Sequence, residues 1–379
     1  MKELAALFLR LGITAFGGPA AHIAMMRDEV VDRRCWMTDS EFLDLLAATN
    51  LIPGPNSTEM AIHIGYKRGG VPGLLTAGVC FIVPACLLVM LIAWGYTRYG
   101  ETPQVAWLAY GVSPVIIAII LQAVWKLAWS VCGGITSAVI GLVATALAIG
   151  GVNELALLAG GGIVALAVRH AGRATVANIL VMLTTVSVSA VGAATLDAAT
   201  VVPVTLTRLT LFFLKVGSIL FGSGYVLLAF LRADLTERWS WLTEQQLIDA
   251  VMVGQVTPGP VFTTATFIGF LLDGWRGAVL ATLAIFTPGF IFVAVTHPLI
   301  GRLRTSTLAS GLVDGVVAAS LGLMVAVTWH LGRAAIIDLS TAVLLVASGV
   351  AMAVWRPNST WLIMGSAVLG WILRGEGVG

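Results

Sequence analysis

The sequence predicts an all-α polytopic membrane protein, made of two inverted-topology repeats with broken or re-entrant helices and about 12 to 13 spans. Three observations point there. The 379-residue chain is 58% hydrophobic and only 11% charged, where soluble domains carry roughly 25% charged residues, and its mean hydropathy is +0.97. Apolar stretches separated by short charged turns run the whole length, and the chain matches itself when slid by 205 positions. This composition excludes a soluble enzyme, a nucleic-acid binder and a disordered chain. A net charge of +2 gives no reason to expect a polyanion as partner.

Taken in order, the candidate spans cover 4–25, 42–66, 72–97, 104–125, 128–149, 154–168, 176–196, 206–230, 246–270, 276–297, 307–329, 335–355 and 359–373. Spans 154–168 and 359–373 are short. Spans 42–66 and 246–270 each contain Pro-Gly-Pro, so either can cross or re-enter. The opening residues read as a first helix rather than a cleavable leader. Cys35, Cys80, Cys86 and Cys132 form no CxxC pair and read as small core residues. The five histidines do not cluster at metal spacing, and no cofactor is expected.

The repeat is the most informative feature. Over 8–55 the shift of 205 gives 14 identities in 48 positions, against roughly 3 by chance from ordinary composition. Phe8-Leu9-Arg10-Leu11-Gly12 meets Phe213-Leu214-Lys215-Val216-Gly217, Phe16-Gly17 meets Phe221-Gly222, Arg27 meets Arg232, and Pro53-Gly54-Pro55 meets Pro258-Gly259-Pro260. With one residue removed the match continues: Gly65, Gly70, Gly73 and Pro84 meet Gly269, Gly274, Gly277 and Pro288. We therefore divide the chain into a first repeat, 1–170, a linking transmembrane segment, 171–203, and a second repeat, 204–379. Six spans per half plus one linking span set the halves in opposite orientations, with a site expected at their interface near the membrane midplane. Lys and Arg at alternate span ends count eleven against eight, which favours a cytoplasmic N-terminus.

The strongest local signals are the breaks. Phe16-Gly17-Gly18-Pro19 interrupts the first apolar run and Phe221-Gly222-Ser223-Gly224 its counterpart. Gly releases the backbone from helical geometry and Pro removes a donor. Such backbone at membrane depth must be buried or line a cavity. A helix restarting there aims bare N–H groups and a positive dipole end at that cavity, which suits an anion; a plain kink or close helix packing through Gly is the other reading. The two Pro-Gly-Pro segments follow the same logic. Asn50 or Gln255 precedes them, and Asn56-Ser57-Thr58-Glu59 or Thr263-Thr264 follows, supplying hydroxyl and amide donors beside a helix start. A helix cap at a hairpin tip accounts for the same residues.

Arg10 and Lys215 occupy matched positions inside the first helix of each half. A cation there needs a partner, water, a bound anion, or a route to the interface. Glu59 in an apolar stretch is a candidate proton carrier, or a capping carboxylate. His22, which has no counterpart because Leu227 takes its place, can contact an anion or titrate; an ordinary interhelical hydrogen bond serves equally. Segments 27–40 and 232–244 read as amphipathic connectors with Trp anchors, and Thr38 with Glu41 as a capping box. No HExxH, GxSxG, P-loop or dinucleotide fingerprint occurs, so an enzyme is not expected.

Phe16-Gly17-Gly18-Pro19 with His22, the Trp36-Met37 connector, Asn50-Leu51-Ile52-Pro53-Gly54-Pro55, and Gly69-Gly70-x-x-Gly73 leading to Pro84 together resemble the chromate ion transporter family, in its long-chain, two-domain form. The resemblance covers nearly the whole chain. It implies proton-motive-force-driven antiport that exports chromate across the cytoplasmic membrane and confers chromate resistance. It also implies two homologous halves of opposite orientation. The family's motif positions carry over to Gly17, Gly18, Pro19, His22, Pro53, Gly54 and Pro55; the second half departs at Ser223, Gly224 and Leu227. Joined to the residue reading, the expected substrate site comprises these positions with Arg10, Asn50, Asn56, Ser57, Thr58, Lys215, Gly222, Gln255, Pro258, Gly259 and Pro260. Glu59 and His22 are the proton-coupling candidates. The expected partners are chromate or a similar oxyanion, protons and the lipid bilayer, with a homodimer compatible with all of this. Two other classes stay open: a carrier or channel for sulfate or another oxyanion, and a membrane enzyme acting on a lipid-linked substrate.

Overall fold

The computed structural model describes residues 1–16, 18–100, 102–131, 134–171, 203–221, 226–300, 307–355, 357 and 359–375. Gly17, Gly222, Cys132 and the expected span 176–196 lie outside them. Every regular element among the described residues is helical.

Among the described residues seven helices form the first half: α1 (Lys2–Thr14), α2 (Gly18–Arg27, continued by a π-helical turn Asp28–Arg33), α3 (Asp39–Thr49), α4 (Asn56–Tyr99), α5 (Pro103–Val131), α6 (Ile135–Ile149) and α7 (Glu154–Ala171). Seven more repeat them: α8 (Leu206–Ile219), α9 (Leu227–Phe230, continued by Leu231–Arg238), α10 (Glu244–Val256), α11 (Thr264–Thr296), α12 (Thr307–Ala335), α13 (Leu339–Val354) and α14 (Ser359–Gly375).

The repeat extends to single contacts. α1 buries Leu4, Leu7, Phe8 and Leu11, the i, i+3, i+4, i+7 stripe of an amphipathic helix, and α8 buries Leu209, Phe212, Phe213 and Val216 at the same places. Arg27 pairs with Asp32 and Asp39; Arg232 pairs with Glu237 and Glu244. Cys35 and Ser240 share a left-handed backbone, at φ 50° and 52°. The expected capping box is present on α3, where Thr38 and Glu41 bond reciprocally, and Thr243 with Gln246 repeats it on α10.

Helices 56–99, 103–129, 261–299 and 310–335 are long and apolar enough by themselves to cross a membrane. Outward faces such as Leu75, Val79, Val83, Leu87 and Leu91 on α4 are exposed and apolar, as lipid-facing stripes are. The other segments are shorter. α1 has 13 residues, about 20 Å, short of a hydrocarbon core of roughly 30 Å; it stops at Ala15. α4 is two arms joined at Gly69 and Gly70, whose φ/ψ leave the helix. A methyl on Gly65 would sit 2.4 Å from the Gly73 carbonyl oxygen, so the arms fold back on one another. Asp273 and Gly274 repeat this turn in α11.

The segment 42–66 re-enters. Glu41, at the start of α3, pairs with Lys67, at the end of the first α4 arm, at 2.6 Å, so both ends of this hairpin lie on one face. Met1 packs beside Gly69, which makes it the N-terminal face. The connector after α2 returns to the same face, because Arg34 and Arg68 both stack on Trp36, at 5.3 and 5.0 Å. Arg27, Arg33 and Arg34 therefore do not lie across the membrane from Lys67, as alternating full crossings required. The reason is the break after α1: the chain turns back instead of spanning.

The long arms of α4 and α11 pack antiparallel. His63 and Tyr66, near the N-terminal face, meet His297 at the end of α11, while Tyr96, at the end of α4, meets Phe267 and Asp249. Around them the halves interlock: α5 packs on α13 and α14, and α12 on α6 and α7. Gly111 with Gly370, and Gly161 with Gly315, bring those backbones into direct contact, the close approach small residues allow.

Candidate functional site

Each Pro-Gly-Pro loop reaches into the opposite half. The Gly54 amide donates to the Leu220 carbonyl at the unwound end of α8, at 2.7 Å, and the Gly259 amide donates to the Ala15 carbonyl at the end of α1, at 2.9 Å. Leu220 and Ala15 correspond in the repeat, as do Gly54 and Gly259, so the two bonds are reciprocal. The terminal carbonyls of the broken helices are thereby satisfied. Both glycines are required, with φ of +138° and +90°. A methyl on Gly259 would lie 2.7 Å from the Ala85 Cβ, in the middle of the long α4 arm, so the loops meet at mid-depth.

Beside this crossing lies a cavity of about 710 Å³ lined by Pro19, Ala20, Asn50, Pro55, Asn56, Ser57, Gly134, Ser137, Val261, Phe262, Ser310 and Asp314, among others. The beginnings of α2, α4, α6, α11 (with its preceding 3-10 turn Val261–Thr263) and α12 all contribute to it. At α4, α6 and the 3-10 turn, the N-cap residues are Pro55, Gly134 and Pro260, and none supplies a side-chain cap. By contrast α3, α8, α10 and α13 start on Thr38, Thr205, Thr243 and Asp338, which cap them and stand elsewhere. At α4 the first intrahelical bonds belong to Thr58 and Glu59, which donate to the Pro55 carbonyl. Asn56 and Ser57 precede those bonds. Each helix start carries up to about half a positive charge, so the converging starts offer an anion bare N–H groups and positive dipole ends, and Asp314 is the one charged side chain among the described wall residues. Arg169 stands next to it, 3.8 Å from Asp314 and 3.4 Å from the Ser310 hydroxyl.

The opposite face holds a smaller counterpart of about 430 Å³, lined by Ala106, Ala109, Tyr110, Ser113 and Arg374 among others. These positions repeat those of Ser310, Val313, Asp314, Val317 and Arg169. It stops short of the Pro-Gly-Pro loops. There the Tyr96 hydroxyl donates to Asp249 at 2.6 Å, and Gln245 donates to Asp249 at 2.9 Å and to Ser113 at 3.4 Å, tying α4, α10 and α5 together.

The family model described as chromate transporter matches the chain twice, over residues 2–166 and 207–371. The chain belongs to the chromate transporter family. It is 31% identical to the chromate transport protein of Cupriavidus metallidurans, over 98% of this chain and 92% of that one. It is 30% identical to the chromate transport protein of Pseudomonas aeruginosa, over the same shares. No solved structure matches it.

Seen in this family member, the residues expected from sequence divide into groups. Pro19, Asn50, Pro55, Asn56 and Ser57 line the larger cavity. Gly54, Gly259 and their flanking prolines, Pro53, Pro258 and Pro260, build the crossing behind it. Gly18 starts α2 with φ +80°. Thr58 and Gln255 are buried behind the wall. His22 is buried and bonds the Ala15 carbonyl through Nε2 at 3.0 Å; it shares that oxygen with Gly259. Arg10 pairs with Glu29, and Lys215 with Asp234, so each cation fastens its first helix to the connector that follows. Glu59 is fully buried, and neither carboxylate oxygen finds a hydrogen-bond partner among the described residues. Its Oε1 lies where a methyl on Gly54 would be, 2.2 Å away, and Gly289 leaves room on its other side.

Sequence reasoning missed Ser137, Ser310, Asp314 and Arg169. Arg169 had a signal, since Arg374 stands 205 positions on, but the match in that region is too sparse to single it out. The cavity-lining Ser137 and Ser310 sit in first turns of helices that sequence read as ordinary spans.

Proposed function

We propose that this protein exports chromate across the cytoplasmic membrane, driven by the proton motive force, and so confers chromate resistance. The observation that carries the reading is the cavity formed by converging, uncapped helix starts at the crossing of the two halves. Chromate is a tetrahedral dianion at neutral pH. Bare N–H groups with aligned dipoles bind such an ion without the desolvation cost of a buried cation.

In this reading the halves are inverted repeats, 1–170 and 204–379 about the linking segment, which the antiparallel α4 and α11 arms and the reciprocal glycine bonds support. The bound oxyanion takes the amides of Asn56 and Ser57, the Ser57, Ser137 and Ser310 hydroxyls and the Asn50 carboxamide. Asn56 already donates to the Asn50 oxygen at 2.7 Å, which leaves the Asn50 amino group to turn toward the anion. Arg10 and Lys215 hold the connectors in place rather than touching the ion. The larger cavity opens toward the N-terminal, cytoplasmic face, and the Tyr96–Asp249–Gln245 cluster closes the other. One open and one closed face favour a rocking carrier over a channel. An inside-negative potential assists exit of the dianion by roughly 2.3 kcal/mol per charge per 100 mV. Glu59, the buried carboxyl without a hydrogen-bond partner among the described residues, carries the proton exchanged.

Everted membrane vesicles test this. Chromate uptake should be concentrative, should rise with an imposed pH gradient, and should fall when that gradient is collapsed. Uptake that equilibrates without concentrating, whatever the gradient, contradicts antiport. Displacement of chromate by equimolar sulfate would shift the substrate to sulfate.

A further inference from the structure

Glu59 does not line the cavity, so a proton leaving it needs a route of its own. One turn further along the same arm stands His63. Positions i and i+4 share a helix face, with Cβ atoms about 6 Å apart. His63 is fully buried, and its Nε2 has no hydrogen-bond partner among the described residues. Its Nδ1 lies 2.9 Å from Nδ1 of His297, which comes from the other half of the chain. The two rings lie 5.2 Å apart, and Tyr66 stacks on His297 at 4.4 Å. His297 is partly exposed at the N-terminal face.

We infer that Glu59, His63 and His297 form a proton relay from the buried carboxyl to the N-terminal face, separate from the anion cavity. The inference rests on proton coupling as proposed above. A contact between two Nδ1 atoms requires that one carry the hydrogen and the other accept it. When the Glu59 side chain turns along the arm to hydrogen-bond Nε2 of His63 and protonates it, the Nδ1 proton of His63 passes to Nδ1 of His297. The proton on Nε2 of His297 then leaves to water. Each ring gains one proton and loses one, Glu59 becomes a carboxylate, and tautomer exchange resets the pair. Tyr66 packs against an apolar cluster of Ile52, Ile62, Leu74 and Val293. Among the described residues the charged neighbours, Lys67 and Glu41, are paired with each other at the mouth, and Tyr66 is the other titratable group facing His297.

The repeat argues that these groups are not a packing accident. At the positions matching Glu59, His63, Tyr66 and His297 stand Thr263, Phe267, Phe270 and Ala93. The titratable file exists on one face alone.

The test uses the full-length protein in proteoliposomes, with two readouts: net chromate uptake driven by an imposed pH gradient, and chromate–chromate exchange with no gradient. Exchange moves the loaded carrier back and forth without releasing a proton. With His297→Gln and with His63→Gln, net uptake should fall about 100-fold, the lower end of what a positioned acid–base group contributes, while exchange stays within about twofold. Net uptake within about twofold of the unaltered protein overturns the relay. So does a parallel loss of exchange in His297→Gln, which would make the pair a strut between the halves. If the unaltered protein shows no gradient dependence, proton coupling itself fails, and that outcome is read before any variant is made.

Discussion

The Gly54 amide of the first half donates to the Leu220 carbonyl of the second at 2.7 Å, and through that bond a loop of one repeat terminates a broken helix of the other. The reciprocal bond, Gly259 to Ala15, closes the pair. Neither half can complete its own interrupted helix. Replacing Gly54 by Ala would strain a backbone at φ +138° and drive a methyl to 2.2 Å from Glu59 Oε1. A strained position costs about 1–3 kcal/mol. Gly54→Ala should lower the melting temperature in detergent and abolish transport; Gly259→Ala should do the same through Ala85. Unchanged melting in both would mean that the crossing does not hold the halves together.

Charge placed in the cavity separates the anion site from its supports. Ser57→Asp sets a carboxylate among the helix starts, where it repels a dianion and occupies the same donors. Transport should fall on the order of 100-fold with folding intact. Arg10→Ala leaves Glu29 still paired with Arg33 and Arg34, so transport should fall only a fewfold. The reverse order, with Arg10→Ala silent to stability but blocking transport, would return Arg10 to the substrate.

The cluster on the opposite face should behave as a latch. Tyr96→Phe removes a hydrogen bond to Asp249, and bonds to charged groups contribute about 1.5–3 kcal/mol. The opening equilibrium should shift by roughly tenfold or more. A cysteine at Val253, one turn beyond Asp249, in a chain with its own cysteines removed, reports this. A membrane-impermeant thiol reagent added on that face should label it faster in Tyr96→Phe. Equal labelling rates would show that another contact holds the face closed.

The hairpin clasp carries a pH signature. The hydrogen bond from Lys67, with that from the Thr38 amide, holds the Glu41 carboxyl down at about 2, from an ordinary 4.5. A depressed folded-state pKa stabilises the fold above the unfolded value and loses that contribution as pH falls through the folded one. Melting temperature should therefore drop between about pH 4.5 and pH 2, and Glu41→Gln should flatten that part of the profile. A variant that keeps the full slope would assign the acid sensitivity to other carboxylates.

Much of the architecture was legible in the residues because its causes are local. The apolar composition, the stripe of Leu4, Leu7, Phe8 and Leu11, the Thr38–Glu41 capping box and the Gly and Pro breaks each act within a few residues of chain, and the match of one half to the other is a property of the sequence alone. What those breaks do was not legible. The turn at Gly69 and Gly70, which sends 42–66 back to the face it came from, looks the same in sequence as a loop between two crossings. Arg10 could be placed beside a partner in principle, but only the fold brings Glu29, nineteen positions away in sequence, within reach of it. His63 and His297 stand 234 positions apart, and no periodicity relates them. The burial of the Glu59 carboxylate without a hydrogen-bond partner among the described residues and the gathering of five helix starts at one cavity likewise depend on how two interlocked halves cross. That crossing is set by long-range packing of α4, α5, α11 and α12, and helical propensity and spacing carry no record of it.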